Sequence, residues 1–283
     1  MYGNVKMAQE VINATDYNVK EWRNRCGPAL EYAAMSNRLN MCKLLVSKGA
    51  DPNFKPTQNW NNATEMASTY GALDVLRYFI EECHAKIGKS HLVAARNGQI
   101  NVIDYLHKER NIGFNSFNVE GVEYGTSMLY EAIRCNRTDV FLWFNEAGFD
   151  VSEKTEGKYT PFEYACRCGR TDFVDFYLAK GEHLSERTIM FLLEKGCCDY
   201  VLDNTTVHVD NTTVFVENII LSAIIKYDNT NYLQKAVSKL KIDINDTTFC
   251  YTAIQYNSHN TLSWLLSHGV SLDNKRSSVL NCK

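Results

Sequence analysis

The residues whose types could do chemistry begin with a group of cysteines and a histidine. Cys166-Arg167-Cys168, the adjacent Cys197-Cys198 and His183 supply thiols and an imidazole, both ligands for zinc. Structural zinc takes its thiols from C-x₂₋₄-C pairs, and neither C-x-C nor C-C has that spacing. A nucleophilic thiol needs a base within hydrogen-bond reach, and nothing in the spacing selects a Cys–His pair. No glycine-rich phosphate loop follows a strand pattern, and no H-E-x-x-H occurs. These residue types point to no enzyme, no cofactor and no metal. The other class of chemistry is recognition, which relies on Arg, Tyr and Trp.

Recognition residues need elements to hold them, and the chain supplies these by repetition. Gly27 to Asn53 reads GPALEYAAMSNRLNMCKLLVSKGADPN. Leu30, Ala33 and Ala34 share one helical face, Asn37 breaks the run, and Leu39, Cys42, Leu44, Leu45 and Val46 form a second apolar helix. Gly49 ends it, and Ala50-Asp51-Pro52-Asn53 reads as a loop. One such pair cannot bury its own apolar faces, so it needs neighbours of the same shape. They are present: Ala33, Ala67, Ala94, Ala132, Ala165 and Ala253 stand in equivalent places, the first five separated by steps of 34, 27, 38 and 33 residues.

A turn and two helices recurring at about 33 residues is the ankyrin pattern. The chain resembles the ankyrin-repeat family at Thr160-Pro161-Phe162-Glu163-Tyr164-Ala165, at Ala95-Arg96-Asn97-Gly98 and at Lys48-Gly49-Ala50-Asp51-Pro52-Asn53. The resemblance implies an all-α solenoid of stacked helix-turn-helix units with finger loops. The expected organisation is a partial capping repeat over 1–25 and five repeats over 26–184. A degenerate repeat with an irregular insert then covers 185–216, and two further repeats and a tail cover 217–283. In the degenerate stretch Cys197 to Leu202 reads as too short for a full second helix. Asn204 to Val214, rich in β-branched and turn residues, reads as a hairpin or an ordered loop.

The bulk properties bound the partners. The 283 residues carry 30 Lys and Arg against 33 Asp and Glu. The balance holds in both halves, which argues against general binding to nucleic acid or a membrane surface. No run of about 18 apolar residues and no basic-then-apolar leader is seen. Ten cysteines, many at helix core positions, indicate a reducing compartment, cytoplasmic or nuclear. Six N-x-S/T sequons, Asn136-Arg137-Thr138 among them, read as chance in a chain rich in Asn and Thr.

The resemblance also implies where a partner would sit: on the concave face, just after the alanine pair, and on the finger tips. Two residues past the key alanine stand Met35, Thr69, Arg96, Arg134, Arg167 and Gln255. Three successive repeats thus place Arg at one height, with Glu131 and Tyr164 three residues before Arg134 and Arg167. These arginines sit at the negative pole of a helix dipole, which tolerates a cation without an acidic partner. They are therefore expected to be free for an acidic segment. Trp60, Tyr70, Tyr124 and Tyr164 are the aromatic candidates, with Phe54, Phe114, Phe117 and Tyr159 also near the fingers. Leu45, Asp51 and Asn53 match the spacing favoured by asparaginyl hydroxylases in ankyrin proteins, which makes Asn53 a modification candidate. The expected function is a non-catalytic, monomeric scaffold that binds a protein partner, with no nucleic acid and no membrane insertion. The alternative is a recruiting or adaptor component of a larger assembly, such as a ubiquitin ligase or a pathogen effector secreted into a host cell.

Overall fold

Eight residues with positive φ set the rhythm of the fold. Asn37, Gly71, Gly98, Asn136, Gly169, Gly196, Asp228 and Asn257 have φ between 50° and 77°. Each stops one helix and turns the chain into the next. The N–H one residue later reaches back to the carbonyl four residues before the break in a Schellman-type closure: Arg38 to Ala33, Ala72 to Ala67, Gln99 to Ala94, Arg137 to Ala132, Arg170 to Ala165 and Ser258 to Ala253. Glycine enters this backbone region without strain, and Asn and Asp enter it more readily than other residues. The key alanines are the acceptors of these bonds. They are nearly or fully buried, because a methyl group lets neighbouring helices approach closely.

The computed structural model describes residues 5–14, 29–55, 60–113, 127–152, 159–204, 213–240, 244–245 and 247–270. Most of the extended finger at 113–125 (Phe114, Phe117 and Tyr124 included), residues 205–212 and the tail from 271 lie outside them. The described residues are helical and contain no strand. They fall into two units, Met1–Pro161 and Phe162–Lys283.

The first unit opens with α1 (Val5–Ala14), which touches the second helix of the first pair. The pairs are α2 (Ala29–Met35) with α3 (Leu39–Ser47), α4 (Ala63–Thr69) with α5 (Leu73–Arg77), α6 (Ser90–Asn97) with α7 (Ile100–Lys108), and α8 (Met128–Arg134) with α9 (Thr138–Glu146). First helices stack on first helices, α2 on α4 on α6 on α8, with α3 against α5 in the other layer. Phe79, Ile103, Leu106 and Phe144 are buried within this unit. After α5 the helix widens into a π-turn over Tyr78–Glu82, which the apolar pattern did not announce.

The second unit pairs α10 (Pro161–Cys168) with α11 (Thr171–Ala179), α12 (Glu186–Glu194) with α13 (Cys198–Asn204), α14 (Thr213–Lys226) with α15 (Thr230–Leu240), and α16 (Thr248–Gln255) with α17 (His259–Ser267). One expectation is corrected here. The segment read as too short for a second helix forms most of α13, a seven-residue helix. Its break closes like the others, Cys197 N–H to Leu192 at 2.9 Å, and the following one closes through Asn229 N–H to Ile224. Leu192 and Ile224 hold the place of the key alanine, so a search for alanine passes over both repeats.

Side chains from distant positions tie the fingers down. Glu65 is fully buried at the start of α4 and completes a capping box with Asn62. Its carboxylate also accepts from Lys55 Nζ at 2.7 Å and from the Lys89 N–H at 3.2 Å, so one acid joins two successive fingers. Asn53 does similar work one turn earlier: its Oδ1 accepts the Lys86 N–H at 2.8 Å.

Burial also fixes the state of the thiols. It pushes Cys42 up to about 12 and Cys198 up to about 11, and it raises Cys166 as well. A thiol of this kind stays neutral in the fold and ionises on unfolding. Its stabilisation is therefore complete below the unfolded value of 9.0 and is lost as pH rises towards the folded value. The urea midpoint should fall steadily between about pH 9 and pH 11. A flat profile across that range would show that these thiols reach water in the folded protein.

Candidate protein-binding surface

The face of the first unit built from its first helices carries most of the candidate residues. Arg96 stands in the last turn of α6 and Arg134 ends α8, each two residues before its break, so the Schellman turns place both at the same height. Glu131, one turn before Arg134, lies between them and is 4% exposed. Arg96 Nε donates to Glu131 Oε2 at 3.0 Å, and Arg134 donates to the same oxygen at 2.6 Å. The expectation that these arginines need no acidic partner is thus overturned. A carboxylate buried by its neighbouring repeats requires charged donors, and two successive arginines provide them. Both arginine side chains remain about half exposed.

This geometry changes what substitution should do. Replacing Arg96 and Arg134 together with Ser leaves Glu131 buried without a cation. Half-exposed partners are discounted for solvent screening, so the expected cost is about 1–2 kcal/mol rather than nil. Adding Glu131→Gln to the double variant should recover part of it. A double variant that melts with the wild type would show that Glu131 has access to water.

The aromatic candidates are placed as follows. Trp60 and Tyr70 are 51% and 53% exposed. Asn61 Nδ2 donates to Thr69 Oγ1 at 3.4 Å, which draws the residue after Trp60 to the residue before Tyr70. Tyr32, which the sequence reading did not select, is 57% exposed and precedes the key Ala33 as Glu131 precedes Ala132. The side chains of Tyr32, Trp60 and Tyr70 make no hydrogen bond or ring contact among the described residues. Met35 and Met66 lie half-buried on the same helices. Thioethers adapt to irregular apolar surfaces, so the face runs from an aromatic and Met-rich end to a guanidinium pair. Tyr164 is half-buried in the second unit, and Arg167 lies there too, its guanidinium 5.7 Å from the Phe191 ring. A further signal was legible but missed: tyrosine stands immediately before the break at Tyr70, Tyr227 and Tyr256, exposed each time.

In the opposite layer of the first unit several side chains reach the neighbouring repeat, while Leu142 stays 47% exposed. Arg77 pairs with Glu109 and lies 4.3 Å from the Tyr105 ring, while the Tyr105 hydroxyl donates to Glu81 at 3.0 Å. Lys43 reaches Glu82 at 3.4 Å and sits 5.0 Å from the Tyr78 ring. His107 packs edge-on against Trp143 and Phe149. Among the described residues no three His, Cys, Asp or Glu side chains gather as metal ligands, and no helix is long and apolar enough to cross a membrane.

The Ankyrin repeat family profile matches residues 28–56, the first complete pair and its finger. No curated protein matches the chain. The matched pair recurs through both units with the same positive-φ break and the same backward hydrogen bond, and the chain is therefore an ankyrin-repeat protein.

Proposed function

We propose that this chain is a non-catalytic scaffold that holds a protein partner against the first helices and fingers of its first unit. Ankyrin repeats are a general protein-interaction module. The observation that carries the reading is the contrast between the two layers. Several charged groups on the second helices pair with the neighbouring repeat, whereas Tyr32, Trp60 and Tyr70 stand half exposed on the face that carries Arg96 and Arg134. Exposed Tyr, Trp and Arg are the side chains that dominate binding energy at interfaces. The buried, neutral thiols favour a non-catalytic role, because a thiolate is the form that attacks.

The test is a Trp60→Ser, Tyr70→Ser double variant. Its melting temperature should stay close to wild type, since both side chains are half in water. Affinity for a partner identified by proximity labelling should fall roughly tenfold or more. Wild-type affinity in a folded double variant would exclude this face.

The adaptor reading draws on the second unit, where Tyr227, Tyr251 and Tyr256 are also exposed and could seat a second protein. Asn53 remains the proposed hydroxylation acceptor. Its side chain holds the Lys86 N–H, so a hydroxylase would have to open that finger first.

A further inference from the structure

At three glycine breaks between paired helices the space is filled from the next repeat. A Cβ on Gly71 would meet Gln99, one on Gly98 would meet Asp139 and Arg137, and one on Gly169 would meet Lys195 and Cys197. These side chains also satisfy the carbonyls that the ending helix leaves open. Gln99 Nε2 donates to Thr69 O at 3.2 Å, and Asn101 Nδ2 to Gly71 O at 3.1 Å. Arg137 Nε donates to Arg96 O at 3.1 Å, and a second nitrogen of the same guanidinium reaches Asn97 O. At Asp228 the break is closed by its own carboxylate, which accepts from Asn260 and Thr261.

Gly196 differs. Its φ is 77°, yet a Cβ there would meet nothing within 4 Å. A cleft of about 210 Å³ opens beside it within the second unit, with Leu193 and Ile224 as apolar wall and Tyr227, Tyr232 and Glu194 around it. The residue in the filling position, one past the next break, is Asn229. It is shorter than Gln99 or Arg137, and its Oδ1 instead accepts the Tyr232 N–H at 3.2 Å, capping α15. The carbonyls of Glu194 and Lys195, which match those of Arg96 and Asn97, receive no side-chain donor among the described residues. The Glu194 carboxylate, bonded to the Tyr227 hydroxyl, adds a negative charge at the rim. Two cations stand near its aromatic rim: Lys226 lies 5.9 Å and 5.8 Å from the Tyr227 and Tyr256 rings, and Lys235, paired with Asp199 at 2.9 Å, lies 5.5 Å from the Tyr232 ring.

We propose that the Gly196 break receives an arginine side chain of the partner protein, as the Gly98 break receives Arg137. The guanidinium donates to the Glu194 and Lys195 carbonyls, a planar fork facing two acceptors. Its stem lies along Leu193 and Ile224, and the Glu194 carboxylate supplies the charge preference. This rests on the scaffold reading and adds to it a second contact, of defined chemistry, in the second unit.

The experiment titrates the full ¹⁵N-labelled chain with N-acetyl-arginine methylamide, and with the norleucine analogue, which keeps a stem but no donors. Saturable shifts are expected at the Gly196, Cys198 and Asn229 amides, with half-saturation on the order of millimolar. The norleucine compound should produce at most a tenth of that affinity. Asn229→Arg should fill the break from inside, abolish the response and raise the melting temperature; Arg38, Arg137 and Arg170 already start α3, α9 and α11 from this position. If that variant folds poorly, Gly196→Asn serves in its place. Asn occupies the same break at Asn37, Asn136 and Asn257, and its side chain would block the cleft. Absence of a saturable shift, an equal response to norleucine, or an undiminished response in a folded blocking variant overturns the arginine site. None of these results touches Trp60 or Tyr70, so the scaffold reading stands or falls by its own test.

Discussion

Gly98→Val should unfold at a much lower urea concentration than the wild type, with a loss of about 2–4 kcal/mol. Two costs combine. The residue sits at φ 76°, where a β-branched side chain is strained. Its Cβ would also come within 2.9 Å of Asp139 Oδ2 and 3.0 Å of Arg137 Cζ. Arg137 could swing away only by giving up its bonds to the Arg96 and Asn97 carbonyls, leaving the end of α6 unsatisfied. Gly148→Val is the matched control: its φ is 84°, but a Cβ there meets nothing within 4 Å. It should show the backbone cost alone, about 1–2 kcal/mol. Equal losses in the two variants would mean that the side chain filling the break adds no stability.

Glu65→Ala should be comparably damaging, at about 2–4 kcal/mol. The carboxylate is fully buried and serves three donors: Lys55 Nζ, the Asn62 N–H and the Lys89 N–H. Its removal orphans two backbone donors and unfastens two fingers. Lys55 retains some exposure, 28% for its side chain, and can turn to water, which limits the loss. Glu65→Gln keeps acceptor oxygen but sets an amide against a cation, so it should lose roughly half as much. Amide exchange at Asn62 and Lys89 should accelerate in Glu65→Ala before global unfolding. Unchanged exchange at those two amides would remove Glu65 from its role as a tie between fingers.

The arginine cluster shows where legibility stopped. Glu131 and Arg134 are neighbours three apart on one helix, so their contact was open to reading. The bond from Arg96 to the same oxygen spans 35 residues and depends on how closely α6 and α8 stack. It converts two apparently free cations into the partners of one buried acid. Arg167 occupies the same position of its own repeat, yet its described neighbour is the Phe191 ring. The alanine series passed over Leu192 and Ile224 for a related reason, although the stretches around them were read as a degenerate repeat and a further helix pair. What defines a repeat is the backbone closure, and a larger apolar residue can occupy the position if the neighbouring helix makes room.

The sequence by itself determined the helix pairs, their breaks and the family. Those features depend on local physics: positive φ admits few residue types, small residues mark close helix approach, and a repeated period demands stacked neighbours. The tertiary structure decided which charged groups are satisfied, which breaks are filled and which aromatic residues stay in water. The bonds between repeats that decide them join residues about 24 to 41 positions apart. They turn on how stacked helices are spaced and on side-chain length, as Asn229 shows against Arg137, and no local pattern records either.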